Sequence, residues 1–174
     1  MVNTADSTPK VSADEIGASG KADLGSANFV LADSPNPMLP LSILGLSVEA
    51  TGIHSDSDSS FAPNKRSFSG DASFDSLTVT GKLVDNKTLT FSGDAAPDTV
   101  LYSSPTVTIT LDEQTLLLPP AAASGIIGPS ITTDAIDIPF NHAKFAGQTI
   151  TGDFDIGQSS ASYALTPPSA LAHG

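Results

Sequence analysis

Thr106-Val107-Thr108-Ile109-Thr110-Leu111 is the stretch that decides the fold. Apolar and hydroxylic residues alternate with a period of two. Val107, Ile109 and Leu111 therefore share one face of an extended strand, and the three threonines share the other. The same pattern continues outward. Leu77, Val79 and Leu83 alternate with Thr78, Thr80 and Lys82. Asp85-Asn86 makes a turn, and Leu89 and Phe91 then alternate with Thr88 and Thr90, which reads as a hairpin. Downstream, Asp112-Glu113 reads as a turn with Gln114 to Leu118 returning, stopped by Pro119-Pro120. Ile136, Ile138 and Phe140 share a face. Ile150, Gly152, Phe154 and Ile156 alternate with Thr149, Thr151, Asp153 and Asp155, and Ala161, Tyr163 and Leu165 form a last strand.

Upstream, Ala27 to Ala32 reads as the first strand. The apolar run from Leu39 to Ile53 changes phase beside Gly45, which predicts a bulge or a break into two strands. Residues 54–66 read as a polar loop and residues 119–130 as a Pro/Gly/Ala crossover. Roughly ten short strands, each greasy on one side and wet on the other, predict an all-β fold: an antiparallel β-sandwich or barrel with little helix. The expected organisation is an N-terminal flexible or docking arm over 1–26, a single β domain over 27–166 and a loose tail over 167–174.

Composition supports this reading. The acids are almost all aspartate, 16 Asp against 3 Glu, and Gly (14) and Pro (13) are abundant. Aspartate, glycine and proline favour turns and caps over helix interiors. Leu, Ile, Val and Phe make up 43 of 174 residues, enough to form a core. A net charge of −12 with no basic stripe disfavours nucleic acid and anionic membrane surfaces as partners. There is no cysteine, so disulfides and thiolate chemistry are excluded. No apolar run is long enough for a membrane span, and the opening residues show no signal peptide.

Residues with chemical potential are few. His54, His142 and His173 stand far apart and read as isolated loop or surface histidines. Two D-x-D pairs, Asp56/Asp58 in the polar loop and Asp153/Asp155 on one strand face, read first as solvated carboxylates with no cofactor expected; a weak calcium site at either pair is the alternative, since such carboxylates suit a hard cation. No nucleophile elbow or other catalytic motif is visible, and no catalytic or cofactor-binding residue is assigned. The absence of Trp disfavours a sugar-stacking module. Phe68-Ser69-Gly70-Asp71-Ala72 recurs as Phe91-Ser92-Gly93-Asp94-Ala95, which predicts two equivalent strand-to-turn corners.

Phe74-Asp75-Ser76-Leu77-Thr78-Val79, the run Val107 to Thr115, Thr133 to Ile138, and the closing Gly152-Asp153-Phe154-Asp155-Ile156-Gly157-Gln158-Ser159-Ser160-Ala161 together resemble the choice-of-anchor family of secreted bacterial surface proteins, type P. The resemblance implies an exported, all-β, non-catalytic protein and carries over no functional residues. The functional expectation is a non-catalytic extracellular or cell-surface structural or interaction protein. It would take protein partners or self-assemble through the N-terminal arm or edge strands. A small-molecule-binding barrel or sandwich with an apolar cavity is the alternative, and an Asp-dependent hydrolase comes third.

Overall fold

A computed structural model describes residues 3–11, 16–32, 44–62, 65–118 and 128–162 of the chain. These residues form eleven strands: β1 (Asn3–Val11), β2 (Ile16–Ala32), β3 (Leu44–Ala62), β4 (Lys65–Thr80), β5 (Thr88–Ala95), β6 (Thr99–Ser103), β7 (Thr108–Leu117), β8 (Ser130–Asp137), β9 (Phe140–Phe145), β10 (Gln148–Gly152) and β11 (Asp155–Ser162). Lys82–Val84 forms a 3-10 turn between β4 and β5, closed by Asp85 in the left-handed conformation. No helix among the described residues is long and apolar enough to cross a membrane.

The strands make a five-stranded meander in the order β1-β2-β3-β4-β5, a four-stranded sheet in the order β11-β8-β7-β6, and a β9-β10 hairpin, all antiparallel. The two larger sheets pack face to face, with β11 against β2 and β3, β8 against β3 and β4, and β7 against β4. The fold is thus an all-β sandwich. The side chains of Val107, Ile109 and Leu111 lie in its core, as their alternation requires, together with Leu46, Val48, Leu77, Val79, Ile136 and Ile138. The expected β4–β5 hairpin forms, with Val79 opposite Leu89 and Thr78 opposite Thr90, but β4 stops at Thr80, so Lys82 and Leu83, read as strand, lie in the 3-10 turn.

Several boundaries differ from the sequence expectation, and the reason is shared. β2 runs through the expected domain boundary at residue 26, so residues 16–26 are part of the sheet, and β1 adds a further strand on its far side. Residues 54–62, read as loop, are the second half of the 19-residue β3, and residues 65–66 open β4. These segments are rich in Ser, Ala, Gly and Asp. A strand needs only a paired backbone and a face that fits its surroundings, and small hydroxylic residues supply that face here. At the recurring pentapeptide, Phe68 to Ala72 lies inside β4, whereas Phe91 to Ala95 ends β5. Ala72 and Ala95 are paired across the two strands, so the copies are not equivalent corners. Asp112-Glu113 does not turn: β7 runs continuously from Thr108 to Leu117. Most of the 119–130 crossover, and Tyr163 onward including the expected tail, lie outside the described residues.

A seam crosses each sheet where the inward-facing phase reverses. In β3 the inward-facing residues are Leu46, Val48 and Ala50 on one side of Gly52, and Ile53, Ser55, Ser57 and Ser59 on the other; Ser47, of the opposite phase, is also covered. Gly52 has φ 56°, which turns two neighbouring side chains to the same side without shifting the pairing with β2 or β4. The neighbours switch at the same level: Leu77 and Val79 are buried beyond Asp75-Ser76, Ala72 and Phe74 before it. In the facing sheet the switch falls at Asp112 (φ 52°) in β7 and Gly157 (φ 69°) in β11. A Cβ on Gly157 would lie 3.0 Å from both Ala135 Cβ and Ile53 Cγ2, so the two seams meet in the interior. The bulge expected beside Gly45 is present, since the pairing with β2 shifts between Leu31–Leu46 and Ala32–Leu44, while Leu41 and Ile43 lie outside the described residues; the reversal at Gly52 is a second feature that the sequence reading did not include.

The seams divide the sandwich into two compartments. One holds the aliphatic cluster of Leu46, Val48, Leu77, Val79, Ile109, Leu111 and Ile136. The other is laced by hydroxyl groups. Ser55 Oγ donates to the Thr133 carbonyl at 3.0 Å and pairs with Ser159 Oγ at 2.7 Å. Ser57 Oγ donates to Thr133 Oγ1 at 2.9 Å and meets Ser159 Oγ at 3.0 Å. Ser55, Ser57 and Thr133 have no exposed surface, and each hydroxyl has a partner, as burial demands. The sheets approach closely here. A Cβ on Gly20 would lie 2.1 Å from the Ser160 carbonyl oxygen, and one on Gly70 2.0 Å from Thr133 Oγ1.

Candidate functional site

Burying Ser55, Ser57 and Ser59 turns the intervening residues of β3, His54, Asp56 and Asp58, to the outer face of the five-stranded sheet. Pairing then decides what they meet. Asp23 of β2 lies opposite His54, Lys21 opposite Asp56, and Asp71 of β4 opposite Asp56 on the other side. Directly opposed residues on one face of a sheet have Cβ atoms ~5 Å apart, so these side chains interact.

His54 is held at both ring nitrogens. Nδ1 pairs with Asp23 Oδ1, and Nε2 lies 3.2 Å from Asp56 Oδ2. Lys21 Nζ donates to the same Asp56 Oδ2 at 2.9 Å, with half of its side chain in solvent. The other carboxylate oxygen, Asp56 Oδ1, is buried and has no hydrogen-bond partner. One ligand atom from each of His54, Asp56 and Asp71 falls within 4.8 Å of the other two. The electrostatics follow. The bond to Asp23 pushes the His54 imidazolium pKa up, burial opposes it, and Asp56 reinforces it. Burial, then the Asp56 carboxylate, pushes the Asp71 carboxyl above the ordinary range. The group thus combines the Asp23, Asp56 and Asp71 carboxylates with His54 and Lys21, and it presents an imidazole nitrogen and carboxylate oxygens close to one another.

The sequence-derived residues fare differently. Asp56 belongs to this group, in a strand rather than a loop. Asp58 is two residues further along the same face, opposite Ser19 and Ser69, and is outside the three-residue cluster. Asp153 and Asp155 are not side by side on one strand: Asp153 lies in the connection after Gly152, and Asp155 opens β11 opposite Asp137. The alternation that joined them crosses Gly152, whose φ of 136° ends β10. His142 is exposed on β9 and bonds to Asn141, and His173 lies outside the described residues. His54 and Asp71 were missed as partners because strand pairing brings them together. The local signal was His54-Ser55-Asp56-Ser57-Asp58, a two-residue alternation of small hydroxylic with charged side chains.

A second acidic group occupies the outer face of the four-stranded sheet. The Asp137 carboxyl is pushed up to about 8 by burial first, then by the neighbouring Glu113 and Asp155 carboxyl groups. Burial also raises Asp134, while the bond from Gln158 Nε2 at 2.8 Å opposes the rise. Elsewhere on the surface, a shallow open groove runs between Asp75–Thr78 of β4 and Thr90–Ser92 of β5. No family model matches the chain, and neither a curated protein nor a solved structure matches it.

Proposed function

We propose that the chain is a non-catalytic structural or interaction protein of the bacterial cell surface that engages protein partners, its own copies included, through the edges of its five-stranded sheet. The observation that carries this reading is the geometry of that sheet. β1 pairs along all nine of its residues with β2, and among the described residues no strand lies on its other side. An edge of this length offers alternate backbone N–H and C=O groups to an incoming strand. β3, at 19 residues, has a contour of about 60 Å at ~3.3 Å per residue, so the sheet is an extended platform. The resemblance to choice-of-anchor proteins supports export and a place at the surface.

Size-exclusion chromatography with light scattering, alongside negative-stain microscopy, tests the proposal. The full chain is expected to form oligomers or filaments in a concentration-dependent way, and removal of residues 1–11 is expected to reduce them. A chain that stays monomeric at every concentration and carries a bound apolar ligand would favour the small-molecule-binding alternative instead.

A further inference from the structure

We propose that His54, Asp56 and Asp71 bind a divalent transition-metal ion of the zinc class, with Asp23 as the positioning residue for the imidazole. Three features of the face support this beyond the acidic character of the patch. The first is ligand chemistry. One imidazole nitrogen with two carboxylates is a mixed N/O set, which suits a borderline cation such as Zn²⁺ or Co²⁺, whereas calcium takes six to eight oxygens. The second is orientation. His54 Nδ1 is engaged by Asp23, so Nε2 is directed at Asp56, and this carboxylate–histidine arrangement characterises metal-ligating histidines. The third is Asp56 Oδ1, a buried carboxylate oxygen without a partner, an energetically costly state that a coordinated cation relieves.

The strands give the site its rigidity. His54 and Asp56 are two apart on β3, Asp71 is fixed opposite Asp56 by the β3–β4 register, and Asp23 opposite His54 by the β2–β3 register. Three protein ligands leave a fourth position of a tetrahedral ion for water or for a donor from a partner. Lys21 is the competitor. Its ammonium occupies Asp56 Oδ2 and must swing away, which its solvent-exposed side chain allows.

Isothermal titration of the full chain with Zn²⁺, and separately Co²⁺, tests the proposal. One ion is expected to bind per chain, and the melting temperature is expected to rise at zinc concentrations of about 100 μM. H54A and D71N are each expected to weaken binding by about tenfold or more, D23N by a similar or smaller factor, and H142A not at all. K21M is expected to bind more tightly, an effect opposite in sign to any general loss of structure. Imidazole nitrogen chemical shifts distinguish positioning from folding: zinc is expected to move the His54 Nε2 resonance in the unsubstituted chain, and D23N to abolish the single tautomer. Zinc binding that survives H54A unchanged, disappears in H142A, or is undetectable in the unsubstituted chain would overturn the proposal. So would a response to calcium alone.

Discussion

Gly70 sits in the middle of β4, where its Cα faces Thr133 across the sandwich, and Gly70→Ala is the sharpest test of the hydroxyl-laced compartment. The added methyl would lie 2.0 Å from Thr133 Oγ1, 3.1 Å from Thr133 Cβ and 3.2 Å from the Asp56 carbonyl oxygen. Thr133 is completely buried, and its hydroxyl accepts from Ser57 Oγ at 2.9 Å. Two costs follow. Moving the hydroxyl aside strands a buried polar partner, at about 1–3 kcal/mol. Overpacking a close-packed interface adds about 1–3 kcal/mol. The reduced freedom of the unfolded chain offsets about 0.4–1 kcal/mol of this. The net expectation is a loss of about 1–6 kcal/mol, read as a lowered urea midpoint at unchanged slope. Gly25→Ala is the matched control, since nothing lies within 4 Å of its added Cβ, and it should stay within about 1 kcal/mol of the parent. Combining Gly70→Ala with Thr133→Ala removes the clashing oxygen, so the two changes should couple by about 1 kcal/mol or more. Gly70→Ala as stable as the parent within ~0.5 kcal/mol, or strict additivity in the double variant, would refute the close approach of the sheets.

Other consequences are open to measurement. Asp137 holds its proton up to about pH 8 in the folded chain, whereas an unfolded aspartate loses it near pH 4. The folded state therefore binds more protons between those values, and stability should fall as pH rises from about 4 to about 8. The slope is at most ~1.4 kcal/mol per pH unit, and less where solvent screens the group. D137N should flatten most of that slope in urea midpoints measured across the range, and an unchanged slope would count against the carboxyl cluster. Gln114 Nε2 donates to both Asp112 carboxylate oxygens at 3.2 Å and to the Gly70 carbonyl at 2.7 Å, joining the two sheets. Since Asp112 is fully buried, Q114A should cost about 1–3 kcal/mol in chemical denaturation. I109A should cost about 2–5 kcal/mol by the same assay, because Ile109 has no exposed surface. V100A, at a side chain 57% exposed on β6, should change stability by less than ~0.5 kcal/mol.

The β class and the aliphatic compartment were legible because Val107, Ile109, Leu111, Leu77 and Val79 mark the inside by hydrophobicity, and the period of two makes the face unambiguous. The other compartment was not legible for the same reason. Ser55 and Ser57 face inward by bonding Thr133 and Ser159 across the sheets, and Ser59 by donating to the Ala18 carbonyl of β2; a reading that takes apolar character as the sign of burial assigns them to a loop. The bulge beside Gly45 was legible in the apolar run, and the β2–β3 register shifts there; the reversal at Gly52, where the backbone adopts a positive φ, carries no such mark in the sequence. At the candidate site, Asp56 could be singled out from sequence by the D-x-D spacing. Its partners Asp71 and Asp23 could not, because cross-strand register is a property of the assembled sheet.

The seams at Gly52 and Gly157 have a thermal corollary. Attraction between aliphatic groups fades on cooling, while a hydroxyl zipper does not depend on water ordering around oil. One continuous set of strands thus carries two adhesives with different responses to temperature. Chilling should loosen the end holding Leu46 and Val79 first, leaving the serine end clamped.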